Sequence, residues 1–137
     1  MKALKSLRQL LQIRSLRADN ISRSLSEARA DAESARERET KASEALDIAA
    51  SRAAGNPVVD VLRKSGVIAA AELQDALMRQ SVLRSHEADA GLSLAQHKAA
   101  RRAAQERAEH VAADFSRAQK AVLRVEFSLE AAEKIDR

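Results

Sequence analysis

Cysteine, tryptophan and tyrosine are absent from this 137-residue chain, and its aromatic side chains come down to Phe115 and Phe127. The lack of cysteine excludes disulfides, thiolate metal sites and thiol redox chemistry. The near lack of aromatics removes the side chains that usually bury the most area in a compact core. Glycine occurs three times (Gly55, Gly66, Gly91) and proline once (Pro57). That is too little punctuation for many turns, so few elements are expected and they must be long. No run approaches the roughly 18 uninterrupted apolar residues of a membrane span. Lys5, Arg8, Arg14 and Arg17 interrupt the apolar residues of the N-terminal segment, unlike a secretory signal. The expectation is a soluble, cytoplasmic chain.

What is present is 45% hydrophobic and 32% charged, dominated by Ala, Leu, Arg, Glu, Gln and Lys, the strongest helix formers. Stepping alternately by three and four from Leu4 to Ala53 meets fifteen positions, of which thirteen are apolar, the exceptions being Arg14 and Glu39. The same stepping from Leu73 to Ala132 meets eighteen, fourteen of them apolar, the exceptions being Gln80, Glu87, His97 and Arg101. A stripe repeating every 3.5 residues over this length keeps one face toward a partner helix, as in a coiled coil. The expected fold is therefore all-α: a long two-helix antiparallel coiled-coil hairpin forming one domain over 1–137. Helix one runs over about 3–53, a short irregular or helical tip over about 54–70, and helix two over about 71–135.

The tip begins where Gly55-Asn56-Pro57 breaks helix one, with Asn56 as N-cap and Pro57 in the first turn of a short helix. Val58, Val61 and Leu62 supply that helix with an apolar face, and Gly66 is its stop. Pairing residues whose numbers sum to about 122 sets Leu7 against Phe115, Ile21 against Arg101 and Ala28 against Leu94. A register one heptad further on, summing to about 129, matches almost as well. The polar seam residues are expected to lay their stems on neighbouring alanines with their heads in water. The alanine-rich middle, with Gly91 in it, is expected to be the softest part.

Catalytic chemistry finds no foothold. His86, His97 and His110 are spaced so that no two share neighbouring turns of one face, as a helical metal pair requires. The carboxylates are interleaved with Arg and Lys, as on a solvated helix face, and three scattered glycines cannot cradle a phosphate. We expect no enzyme activity, no catalytic residues, no metal and no cofactor. Residues 1–25 carry Lys2, Lys5, Arg8, Arg14, Arg17 and Arg23 against Asp19 alone, whereas 27–47 is net acidic. With that mixed surface and no interleaved aromatics, nucleic acid is not an expected partner.

Apolar residues near the two termini exceed what one seam can bury. Leu10, Ile13 and Leu16 lie off the first seam, and Leu123, Phe127 and Ile135 off the second. A hairpin brings both groups to the same end. Together with Lys5, Arg8, Arg14 and Arg17 they form a candidate protein-binding surface. The chain is expected to be monomeric; a self-assembling coiled-coil scaffold or adaptor is the alternative, and a membrane-surface helix at 2–17 a further one.

A basic, Leu-rich start (residues 1–17), two heptad runs and a short tip resemble the FliJ/YscO family, the stalk proteins of flagellar export and type III secretion. The resemblance covers essentially the whole chain. Because 58–77 carries no aromatic residue, it leans toward the YscO-like, injectisome branch. It implies a central stalk that links a hexameric export ATPase to the export gate protein, with the termini in the ATPase pore, and that escorts secretion chaperones. It also implies a cytoplasmic location, peripheral at the inner-membrane export apparatus of a bacterium.

Overall fold

The computed structural model describes residues 2–55, 57–64 and 70–136. Among these every element is an α-helix: α1 (Lys2–Ala54), α2 (Pro57–Lys64) and α3 (Ala70–Asp136). The fold is the all-α antiparallel hairpin read from the sequence. α1 has neither glycine nor proline within it and ends at Gly55. α2 opens on Pro57, where the missing N–H would have had no helical partner anyway. The proposed cap at Asn56 and stop at Gly66 lie outside the described residues.

The chain divides into two compact units, Met1–Ser34 with Arg102–Arg137, and Ala35–Arg101. In each, a stretch of α1 packs antiparallel on a stretch of α3. Within the first unit Arg8 meets Glu133, and Arg14 meets the backbone of Ala121. Within the second, Glu39 meets Arg101, and Leu46 lies beside Gly91. In both units the number on α3 falls as that on α1 rises.

Every position on the two heptad seams is buried or half-buried. The best-covered residues are Ala18, Leu25, Ala28 and Val125 in the first unit and Ala35, Ala42 and Ala76 in the second, with Ala28 only 1% exposed. Alanine layers let the helices approach closely but remove little more than a methyl group from water each, about 0.8 kcal/mol per buried carbon. Stability therefore accumulates along the length of the pair and has no single anchoring cluster. Ala76 is buried at 3% exposure although α1 has ended by Ala54.

The register differs from both sequence expectations. The pairs above have numbers summing to about 135–141, which sets the heptad layers at a sum of about 136. Leu7 therefore lies level with Leu129, and not with Phe115. The pairing is one heptad beyond the second expectation and two beyond the first. The physical reason lies in the polar seam residues. Glu39 and Arg101 form an ion pair whose side chains are only 20% and 27% exposed. In the register summing to about 129 they would sit opposite Ala90 and Ala28, each a charge pressed on an apolar layer about 16 Å along the axis from its partner. Arg14 likewise gives its guanidinium to the carbonyl oxygen of Ala121, at 3.2 Å. These heads are partnered across the seam and not simply hydrated as expected.

Two outcomes follow. Charge reversal by Arg101→Glu should cost about 3 kcal/mol, and adding Glu39→Arg should restore at least half of the lost melting temperature; simple addition of the two losses would contradict the pairing. At Gly91 an added methyl would lie 4.0 Å from Leu46 Cδ1, an ordinary contact. Gly91→Ala should therefore raise the melting temperature by about 3 °C, the effect of removing a helix-interior glycine, as calorimetry would show.

Candidate protein-docking surface

All the sequence-nominated surface residues fall in the first unit, and the structure sorts them into three kinds. Ile13, Leu16, Phe127 and Ile135 are truly uncovered, Phe127 at 68% and Ile135 at 85%, and Leu123 is about half exposed. Lys5 and Arg17 are exposed cations. The remaining three are engaged. Leu10, expected among the uncovered residues, is half-buried because it flanks the seam directly, seven residues before Arg17 on the same edge. Arg14 sits on the seam and is held by the Ala121 carbonyl. Arg8 faces Glu133 at 3.7 Å, with both side chains well solvated, so that contact is worth little in stability.

Heptad geometry places these residues around the helix pair. Along one flank run Leu10, Ile13 and Arg17 of α1 beside Arg117, Ala121 and Arg124 of α3. A groove on this flank is lined by Arg14, Arg17, Asp114, Arg117 and Ala121. Along the opposite flank a second groove brings together Ser15, Ser22, Gln119, Leu123 and Glu126, and Arg8 meets Glu133 on the same side. Leu16 and Phe127 point outward, away from the seam. By the observed register Leu123 is level with Ile13, and Phe127 is level with Gln9. Ile13, Leu16, Leu123 and Phe127 thus make a belt about 10 Å tall that occupies both flanks and the backs of the helices, not a single patch, while Ile135 lies nearer the termini.

Three features escaped the sequence reading. Asp114 gathers Arg117 at 2.8 Å and His110 at 3.7 Å; their three- and four-residue spacings carried that signal. The acidic partner of Arg8 could not be found without the register. In the second unit Ile48, Leu62, Leu77, Met78, Val82 and Leu92 are each more than half exposed, and their off-seam positions marked them. Among the described residues no three His, Cys, Asp or Glu side chains gather where a metal could be held, and no helix is long and apolar enough to cross a membrane.

Comparison of the chain with protein-family models, curated proteins and solved structures finds no match.

The belt residues should be dispensable for folding. Ile13→Ser, Leu16→Ser and Phe127→Ser, singly, should each shift stability by no more than about 0.5 kcal/mol, as exposed positions do. Leu25→Ala, at a buried seam position, should cost about 3 kcal/mol. Urea melts followed by circular dichroism compare the two sets; a belt variant as damaging as Leu25→Ala would mean that the belt is core.

Proposed function

We propose that this chain is the stalk protein of a bacterial type III secretion export apparatus, a non-enzymatic cytoplasmic component peripheral at the inner membrane. In this reading the unit holding both termini seats in the pore of the hexameric export ATPase. The second unit presents its exposed Leu62, Leu77, Met78 and Val82 to the export gate protein and to secretion chaperones. The observation that carries the reading is the belt. A partner lying on one side of a helix pair needs one apolar stripe, whereas Ile13, Leu16, Leu123 and Phe127 are distributed around the pair, as suits a peg enclosed on all sides. Lys5, Arg8 and Arg17 beside the belt would steer it toward an acidic opening, a rate effect that weakens with salt.

The self-assembling scaffold is the second reading, and it draws on the exposed apolar side chains of the second unit. Sedimentation across a wide concentration range separates the two: a stalk stays monomeric, a scaffold grows.

The direct test replaces Ile13, Leu16 and Phe127 together by serine and measures stimulation of the export ATPase from the same bacterium. Leu16 is chosen in preference to the half-buried Leu10. Helical circular dichroism should be unchanged and stimulation lost. A triple variant that still stimulates as wild type does removes the pore reading.

A further inference from the structure

Charge in the first unit is sorted by flank, and this sorting does not depend on the ring reading. The groove lined by Arg14, Arg17, Arg117, Asp114 and Ala121 holds three guanidinium groups against one carboxylate. Arg117 uses one nitrogen on Asp114 at 2.8 Å and stays mostly exposed. Arg14 uses one on the Ala121 carbonyl. Arg17 is exposed and makes no ion pair among the described residues. Arg124, seven residues beyond Arg117, repeats the positive charge two turns along the same face. The other flank is of opposite character on α3, where Glu126 lines its groove and Glu133 meets Arg8.

The basic flank is also apolar at its base. Its floor is lined by the half-buried Ile21 of α1 and by Ala118 and Ala121 of α3. A trough between two helices with small or aliphatic residues along its floor and arginines on its rims is the complement of a third helix. An isolated phosphate would use the rims and leave the floor bare, and nucleic acid would find no stacking surface.

We propose that this flank is a docking groove for an acidic amphipathic helix of a partner protein. Its apolar face seats on Ile21, Ala118 and Ala121, and its Asp and Glu side chains accept paired hydrogen bonds from Arg17, Arg117 and Arg124. One wall from each helix is needed, so the groove exists only in the observed pairing.

The probe is a fluorescein-labelled synthetic peptide of about five helical turns, with leucines at i, i+3, i+4 and i+7 and glutamates flanking them, titrated with the full-length protein at low salt. The glutamate peptide should bind at least tenfold tighter than the same peptide with glutamine. Arg17→Gln with Arg117→Gln should weaken it about tenfold or more, and Arg124→Glu should do so independently. The equally charge-removing pair Arg29→Gln with Arg102→Gln, outside the groove, should leave it within about twofold. Equal losses in both pairs would reduce the effect to net charge and overturn the proposal. So would an oligonucleotide that displaces the peptide at comparable concentration. Dimerisation of the protein that disappears in Arg17→Gln with Arg117→Gln would also overturn it, by giving the groove to a second copy of this chain. Wild-type protein that binds the peptide yet does not stimulate the export ATPase would count against the pore reading alone.

Discussion

Two helices that meet largely through alanine can slide past one another in steps of seven residues with little change in what they bury, because each layer looks much like the next. The contact that distinguishes the steps is the partly buried Glu39–Arg101 pair, aided by Leu46 lying over the side-chain-free Gly91 and by Arg14 on the Ala121 carbonyl. An ion pair of this kind adds little net stability relative to apolar residues of similar size, yet leaving either charge alone against the seam is costly. Its contribution is therefore specificity, as with single polar residues in other coiled coils. Every flanking feature inherits that choice, since a slip of one heptad moves each residue of α3 by about 10 Å relative to α1.

The parts legible in the sequence are those governed by local periodicity. All the positions on both seams, from Leu4 to Ala53 and from Leu73 to Ala132, are covered in the structure, and the helix bounds fall within a residue of those expected. Propensity and the single Gly-x-Pro break suffice for that. The register was not legible from the apolar pattern, because Ala18 fits against Ala104, Val111 or Ala118 equally well. The information lay in the polar exceptions, and it required treating Glu39 and Arg101 as partners across the pair. Considered one at a time, each could be satisfied by water. Leu10 was misplaced for a related reason: a position flanking the seam is shielded by the opposite helix to an extent that a two-position stripe ignores.

The candidate surface shows the same division. Composition alone located positive charge in residues 1–25, but the arrangement is finer. α3 contributes Arg117 and Arg124 to one flank, Glu126 and Glu133 lie on the other, and the apolar belt surrounds both. Enclosure by a ring and one-sided docking of a helix are different demands, and the belt and the arginine groove meet them with largely different residues. That separation lets the stalk reading and the acidic-helix proposal be examined independently.

The pairing register supports both, and the absence of native cysteine allows it to be measured directly. Ala18→Cys is combined in turn with Ala118→Cys, Val111→Cys and Ala104→Cys, positions matched to pairing sums of about 136, 129 and 122, and disulfide formation is followed under mild oxidation at low protein concentration. The account requires rapid intramolecular closure with position 118 and slow or absent closure with the other two. Preferential closure with 111 or 104 would place the helices one or two heptads away and would dissolve the groove, the belt and the Glu39–Arg101 pair together.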